Sequence, residues 1–273
     1  MKKPLLVLIA LTLLCAAGAY WISTRVKMTV EPSVPPVAEA PPLPKEDPPL
    51  VVAIRTSIKT PENNAHIAQL LQNGADANAV DLKGRPAIYW AIATGDNASV
   101  EALPKAGADV NKVDLEGKWT PLMHAVYQAS RDAKYAPLVG LLIEKGANVN
   151  AGPDGYTPLH VAVNNGEEKT SAPMVDLLLR NGANPNAEAA AAEKVPGITP
   201  LMDAAREGKI KLAKLLVKAG SRLDLKGPGG RTPSEIASEN QHPELAQALK
   251  VAAVVERPKS GAKSAPKEKG KHR

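Results

Sequence analysis

The residues that could carry metal chemistry are few and lie far apart in the sequence. Two histidines in a His-Glu-x-x-His pattern would place two imidazoles on one helix face around a zinc ion. No such pattern exists among the five histidines, which are His66, His124, His160, His242 and His272. The sequence therefore predicts no metal site.

Nucleophilic and phosphate-binding motifs are absent as well. Cys15 is the single cysteine, there is no Gly-x-Ser-x-Gly sequence, and the run KGPGGRTPS at 226–234 lacks the lysine that contacts phosphate in a P-loop. We therefore expect a protein that is not an enzyme and has neither a cofactor nor a small-molecule substrate.

The elements that would position any binding residues are clearest at residues 157–186. Thr157 is a residue type that commonly caps the N-terminus of a helix, and Pro158 follows at the first helical position, where it loses no hydrogen bond. Apolar residues then recur at helical spacing in two short stretches, and Gly182 is suited to end the second helix in a left-handed conformation. The pattern predicts two short antiparallel helices that bury too little alone and must stack on copies of themselves.

Copies of this unit recur along the chain. The spacings between successive terminal glycines are 33, 39, 36 and 38 residues. The glycines are Gly74, Gly107, Gly146, Gly182 and Gly220, and the matching first-helix starts read RPAIYWA, TPLMHAV, TPLHVAV, TPLMDAA and TPSEIAS. The repeated Thr-Pro-Leu and Gly-Ala-Asx sequences resemble the ankyrin-repeat family over residues 50–250. The resemblance implies an all-α solenoid of about five to six helix-turn-helix repeats, with His160 as a structural residue that links neighbouring turns.

The resemblance also implies where a partner protein binds. In the ankyrin arrangement, the residue before each Thr-Pro start faces a concave groove, beside outward positions of the first helices. Several of these residues are Arg, Trp or Tyr, which anchor interfaces because they bury a large area at low entropy cost. The predicted protein-binding residues are Arg85, Trp90, Trp119, His124, Tyr127, Tyr156, Asn164, Ile198, Asp203, Arg206 and Arg231. The alternative for Trp90 is packing in the core of its own repeat.

Several segments depart from the regular repeat. Insertions at 128–136 and 166–173 are expected to lie side by side on the edge opposite the hairpin tips, as tolerated surface loops or as a second contact patch. The alanine-rich insertion at 187–197 is expected to form an extra helical turn that projects from the tips. Pro104, inside a predicted second helix, is expected to loosen or shorten that helix.

Residues 1–29 are predicted to be a membrane anchor or a signal segment. Residues 5–22 form an apolar run, and eighteen helical residues cover roughly 27 Å, close to the thickness of the hydrocarbon layer. The small residues around Ala19 would also suit signal cleavage. The proline-rich linker at 30–49 has the composition of a semi-rigid spacer, which favours an uncleaved anchor.

The short Lys-Lys start is typical of bacterial export signals and predicts a location. We expect a single-pass protein of the bacterial inner membrane with its repeat domain, residues 50–252, in the periplasm. The alternative is a soluble periplasmic or secreted protein, released by cleavage near Ala19, that masks an enzyme.

The basic character of the chain comes from its ends. Residues 1–29 carry four basic groups and no acidic group, and the tail at 253–273 carries seven basic and two acidic groups, which predicts disorder. The residues between contain 23 basic and 26 acidic groups. Nucleic-acid binding would need a basic stripe on the folded part, so the charge distribution predicts a protein partner and no nucleic acid.

Overall fold

The computed structural model describes residues 43–56, 60–190 and 196–255. This part of the chain contains twelve α-helices, three short 3-10 turns and two isolated β-bridges. The helices are α1 Pro49–Arg55, α2 Pro61–Gln72, α3 Ala87–Thr94, α4 Asn97–Lys105, α5 Pro121–Arg131, α6 Ala136–Glu144, α7 Pro158–Asn164, α8 Glu168–Arg180, α9 Pro200–Arg206, α10 Ile210–Lys218, α11 Pro233–Glu239 and α12 Pro243–Val255. They form six consecutive pairs.

Within those described ranges, no helix has both the length and the apolar character needed to cross a membrane. The predicted anchor or signal at 1–29, including the apolar run at 5–22, lies outside the described residues. So do residues 30–42 of the predicted linker and residues 256–273 of the predicted tail.

Threonine caps start several of the first helices, as the Thr-Pro pattern predicts. The Thr120 hydroxyl accepts a hydrogen bond from the Met123 N–H at 3.2 Å, and the Thr199 hydroxyl accepts one from the Met202 N–H at 3.3 Å. A proline occupies the first helical position after both threonines. Losing such a cap costs about 1 kcal/mol, and the structure confirms the predicted starts of these helices.

His160 links two neighbouring repeats, which confirms the role that the family resemblance implied. Its Nδ1 accepts from the Thr157 backbone N–H at 3.1 Å, and its Nε2 lies 2.9 Å from the carbonyl oxygen of Ile198. An accepting Nδ1 leaves the proton on Nε2, which therefore donates to Ile198. Burial lowers the pKa of His160, and only the bond to Ile198 opposes that effect. The neutral imidazole thus acts as a clamp between turns.

The core is a stack of small and branched side chains. The first helices contact one another in the order α3, α5, α7, α9 and α11. An alanine recurs at the same place in each of these five helices and is fully buried, because a small side chain lets two helices approach closely. These residues are Ala91, Ala125, Ala162, Ala204 and Ala237.

A ladder of asparagines joins the turns that follow the second helices. Asn150 donates its Nδ2 to the Gly182 carbonyl at 3.0 Å, and its Oδ1 accepts from the Asn184 N–H at 2.7 Å. Asn78, Asn111 and Asn186 make the same pair of bonds to the following repeat. The glycines at the helix ends have a positive φ, from 85° to 90°, as predicted. The Gly-Ala-Asx-x-Asn sequence therefore connects repeats as well as ending helices.

Helix α4, which contains Pro104, is as long as second helices of other repeats. Helix α4 spans nine residues, as do α6 and α10, and Pro104 is its second-last residue. A proline at this place removes a hydrogen bond only in the last turn, so the expected shortening is not found.

The insertions at 128–136 and 166–173 are side by side, as predicted, but they are mostly helical. The first lengthens α5 and adds a 3-10 turn at Ala133–Tyr135, and the second starts α8 early, at Glu168. The Thr170 hydroxyl donates to the Ser130 carbonyl at 2.6 Å. A Cβ on Gly166 would lie 1.9 Å from the same carbonyl oxygen, so this close approach needs glycine.

The insertion at 187–197 begins as extended chain, so the prediction of a helical turn is wrong for its described residues. Ala189 and Ile198 exchange two backbone hydrogen bonds of 2.9 Å and form an antiparallel bridge. Ala190 also donates to the Asp154 carbonyl at 2.8 Å, in the loop that precedes α7. Residues 191–195 lie outside the described part.

Candidate functional site

Most of the eleven predicted binding residues fall into two clusters along the first helices and the loops that precede them. We call the first the aromatic ribbon and define it as Tyr89, Trp90, Trp119, His124 and Tyr127. We call the second the polar cluster and define it as Tyr156, Asn164, Asp203 and Arg206. Tyr89 was not among the predicted residues, and the predicted residues Arg85, Ile198 and Arg231 belong to neither cluster.

The aromatic ribbon is a continuous chain of ring contacts across the second and third repeats. Neighbouring ring centroids are 5.3 Å apart for Trp90 and Tyr89, 4.7 Å for Tyr89 and His124, 5.3 Å for His124 and Trp119, and 5.9 Å for Trp119 and Tyr127. Three of these four contacts are edge-on, the geometry that aromatic quadrupoles favour. All five side chains are half-buried, so the ribbon also presents ring surface to solvent.

Arginines lie over both ends of the ribbon. The guanidinium of Arg85 is 4.5 Å from the Trp90 ring centroid, and that of Arg55 is 5.5 Å from the same ring. At the other end, Arg131 lies 5.3 Å from the Tyr127 centroid and donates to its hydroxyl. These cation–π contacts hold the charged groups at the ring faces.

A buried carboxylate, Asp81, fixes the first end of the ribbon. Its Oδ1 accepts from the backbone N–H groups of Lys83 and Arg85, each at 2.9 Å. Its Oδ2 accepts from Arg85 Nε at 2.8 Å and from Trp90 Nε1 at 3.2 Å. Burial by itself would raise the pKa of Asp81, but the bonds from Arg85 and the backbone outweigh it and lower the pKa. The anion therefore holds Arg85 and Trp90 in place.

Asp114 does the same for the middle of the ribbon. Its Oδ2 is 2.7 Å from His124 Nε2 and 3.2 Å from the Trp119 backbone nitrogen, and its Oδ1 accepts from the Gly117 N–H. Burial lowers the pKa of His124 more than the bond to Asp114 raises it, so the imidazole is neutral at pH 7 and donates through Nε2. The geometry makes Asp114 a positioning group for the Trp119 loop.

The polar cluster occupies the fourth and fifth repeats. Asn164 Nδ2 donates to the Tyr156 hydroxyl at 3.2 Å and to Asp203 Oδ2 at 2.9 Å. Arg206 pairs with Asp203 Oδ1 at 2.8 Å. The Tyr156 ring stacks on His160 with centroids 5.2 Å apart. Burial raises the pKa of both Tyr156 and Asp203, and Arg206 is the main group that opposes this effect at Asp203.

Of the three predicted residues outside the clusters, Arg85 lies over the ribbon at Trp90, and Ile198 and Arg231 have separate places. Ile198 is half-buried and uses its backbone to pair with Ala189 and to accept from His160. Arg231 is exposed near the last helix pair and donates to Glu239. The structure therefore does not join either side chain to the aromatic ribbon or the polar cluster.

Asp203 is not an outward residue. It is 3% exposed, and its carboxylate is covered by Asn164 of the preceding repeat and by Arg206. Val161, at the same place in its repeat, is fully buried. Trp90, at the corresponding place in the irregular repeat, is half-buried and touches the core, so it combines the two alternatives open from the sequence.

Asp81 and Asp114 are the positioning residues that the sequence interpretation missed. A signal for them exists, because both lie in a repeated Val-Asp-Leu-x-Gly sequence before a first helix. An acidic residue repeated at the same place in two loops favours a shared structural role over an exposed charge. Across residues 43–56, 60–190 and 196–255, no group of three or more His, Cys, Asp or Glu side chains is placed to hold a metal ion.

Comparison with known proteins agrees with this repeat architecture. The family model described as ankyrin repeats (3 copies) matches residues 50–135, 96–189 and 168–256, which together cover most of the chain. Similar curated proteins include cyclin-dependent kinase inhibitor 2A of Homo sapiens, 39% identical over 67 residues, which are 24% of this chain and 43% of that protein. Cyclin-dependent kinase 4 inhibitor B of Rattus norvegicus is 39% identical over 66 residues, which are 24% of this chain and 51% of that protein.

The chain thus spans about half the length of the curated relatives it matches. The family match itself extends over six helix pairs, their threonine caps and the asparagine ladder. On this evidence the chain belongs to the ankyrin-repeat family.

Proposed function

We propose that this protein is a binding module that captures a partner protein on the face formed by the aromatic ribbon and the polar cluster. The observation that carries the proposal is the ribbon itself. Four of the eight Trp and Tyr residues of the chain lie in it, half-buried and flanked by arginines. Trp, Tyr and Arg are the residue types that dominate the energetics of protein interfaces.

The buried carboxylates favour binding over catalysis. Asp81 and Asp114 are 1% and 4% exposed, and each accepts several hydrogen bonds from side chains and backbone, so neither carboxylate is open to a substrate. A general base needs access to the proton it removes. The two acids instead keep the ring surfaces in one arrangement, which lowers the entropy lost when a partner binds.

The proposal includes a location. Residues 5–22 would anchor the chain in a bacterial inner membrane, and the proline-rich linker at 30–49 would hold the repeats away from the bilayer in the periplasm. The sequence supports this through the length of the apolar run and the composition of the linker. The full chain is expected to stay with membranes after high-salt and carbonate washing. Mass spectrometry that finds a mature N-terminus at Tyr20 would contradict the anchor.

The binding face is tested by substituting one ring in each cluster. The variant Trp119→Ala with Tyr156→Ala is expected to lose partner capture in a crosslinked pull-down from native envelopes, because it removes the largest contact area on the face. Tyr135→Ala is the matched control, since Tyr135 is a half-buried aromatic in the insertion at 128–136. Circular dichroism melts verify that all variants fold.

A second candidate is a soluble periplasmic inhibitor that masks an enzyme after signal cleavage near Ala19. The relatives are named as inhibitors of cyclin-dependent kinases, which shows that proteins of this family include enzyme inhibitors. If this second function is right, the captured partner is an enzyme whose activity falls when the purified chain is added. The washed membrane fraction then contains none of the chain.

A further inference from the structure

The Trp119, Tyr127 and Arg131 end of the aromatic ribbon has an excess of hydrogen-bond donors. No described residue accepts from the Trp119 indole N–H. The Tyr127 hydroxyl accepts from Arg131, which leaves its own proton available. Arg131 is exposed, and within the described ranges no carboxylate lies within ion-pair distance of it.

The buried carboxylate beside this end is already used. Asp114 binds His124 and the backbone N–H groups of Gly117 and Trp119. A ligand that brings many N–H groups would find few partners here, whereas a ligand rich in carbonyl oxygens would find three donors beside ring surfaces.

Proline-rich segments have this chemistry. Proline has no N–H, and a polyproline II segment has no internal hydrogen bonds, so its carbonyl oxygens are free to accept while its rings pack on aromatic side chains. An α-helical ligand uses its carbonyls internally, and a β-strand ligand brings N–H donors that need acceptors. The donor excess therefore favours the polyproline II ligand over both.

The unpaired guanidinium adds a charge requirement. The Trp119 and Tyr127 centroids are 5.9 Å apart and Arg131 is 5.3 Å from Tyr127, so Trp119 and Arg131 are at most about 11 Å apart. At about 3.1 Å per residue, three residues of polyproline II, one turn of that helix, extend about 9 Å, and the reach of a carboxylate side chain covers the rest of this distance.

We propose that this end of the ribbon binds an extended, proline-rich segment of a partner protein. The segment carries a carboxylate about three residues from the proline that contacts Trp119, and this carboxylate pairs with Arg131. The inference rests on the proposed function and names the kind of segment that the binding face takes.

The test uses the purified full chain and three synthetic peptides. The probe is a nine-residue peptide of prolines with one glutamate at its sixth position. One control replaces the glutamate with glutamine, and the other keeps the glutamate in a Gly-Ser sequence. Calorimetry measures affinity, and NMR follows the indole N–H resonances, with that of Trp119 identified by its absence in Trp119→Phe.

We expect the glutamate peptide to bind and to shift the Trp119 indole resonance, and the Gly-Ser peptide not to bind. Arg131→Gln is expected to lower the affinity for the glutamate peptide about fivefold and to leave the affinity for the glutamine peptide unchanged, because only the glutamate peptide has a charge that can pair with Arg131. Trp119→Phe keeps a ring but loses the donor, so it should weaken both proline peptides. Arg131 is exposed, so its replacement tests the proposal even if a tryptophan variant fails to fold.

Two results would overturn the inference. One is equal binding of the glutamate peptide by the wild type and Arg131→Gln, and the other is absence of binding by both proline peptides. If either occurs while the Trp119 and Tyr156 double variant still loses its partner in the pull-down, the proposed function stands and only the ligand class is wrong. If capture also persists in the double variant, both proposals fail.

Discussion

At the scale of single residues, the binding face depends on groups kept in a defined protonation state. His124 and His160 are both neutral because burial lowers their pKa values. Each donates through Nε2, to Asp114 and to the Ile198 carbonyl respectively. Protonation of either would place a charge in a desolvated position between two repeats.

This predicts a pH dependence of folding stability with a definite sign. The folded pKa of His124 lies below the unfolded value of about 6.5, so the unfolded chain binds the proton first. The contribution of neutral His124 to folding stability is complete above about pH 6.5 and is lost as the pH falls through the folded pKa. His160 adds a loss of the same sign.

The measurement is the melting temperature between pH 7.5 and pH 5.5. His124→Gln is expected to reduce the fall in stability in this range, by at most about 1.4 kcal/mol per pH unit, the limit for one proton. His66→Gln, at an exposed position in α2, is the control and should follow the wild type. Superimposable profiles for the wild type and His124→Gln would contradict the role given to His124.

At the scale of elements, one insertion caps a helix of the next repeat. Helix α10 starts at Ile210 without a side-chain cap of its own. Glu168, at the start of α8, accepts from the Lys211 N–H at 2.6 Å and from the Leu212 N–H at 3.4 Å. A carboxylate at a helix N-terminus satisfies free N–H groups and complements the helix dipole. The early start of α8 therefore stabilises the interface between two repeats.

Glu168→Ala is expected to lower the stability by about 1 kcal/mol, the usual cost of a lost N-terminal cap, and to speed amide hydrogen exchange at Lys211 and Leu212. The stability of Glu168→Gln should lie between those of the wild type and Glu168→Ala, because glutamine keeps an accepting oxygen but loses the charge. Glu167→Ala changes the adjacent exposed residue and should have no effect on exchange in α10. Unchanged exchange at Lys211 in Glu168→Ala would show that the cap is not used in solution.

The elements were predictable where the signal is local. A threonine cap, a proline at the first helical position and a terminal glycine each act within a few residues, so the Thr157 and Gly182 assignments hold. The predictions for Asp203 and for the described residues 187–190 of the insertion were wrong because the partners of these residues lie in other loops and repeats. The roles of Asp81 and Asp114 depend on which groups the fold brings around them, and a repeated sequence alone does not show this.

At the scale of the whole molecule, the described part is a stack of helix pairs in which each contacts its neighbours. The asparagine ladder makes the same contacts between successive pairs, and the His160 clamp adds one between the fourth and fifth, so stability is distributed along the stack. Two features depart from the regular repeat. One is the aromatic ribbon on one face. The other is the pair of helical insertions, which are joined to each other by the hydrogen bond from Thr170 to Ser130.

The central claim is that a partner protein binds the face formed by the ribbon and the polar cluster. The most direct measurement is the amount of partner retained by Trp119→Ala with Tyr156→Ala, relative to Tyr135→Ala, in crosslinked capture from native envelopes. We predict that Tyr135→Ala retains the partner at the wild-type level and that the double variant retains less than about a tenth, as expected when anchors worth 1.4 kcal/mol or more are removed. Equal retention by the two folded variants would contradict the account.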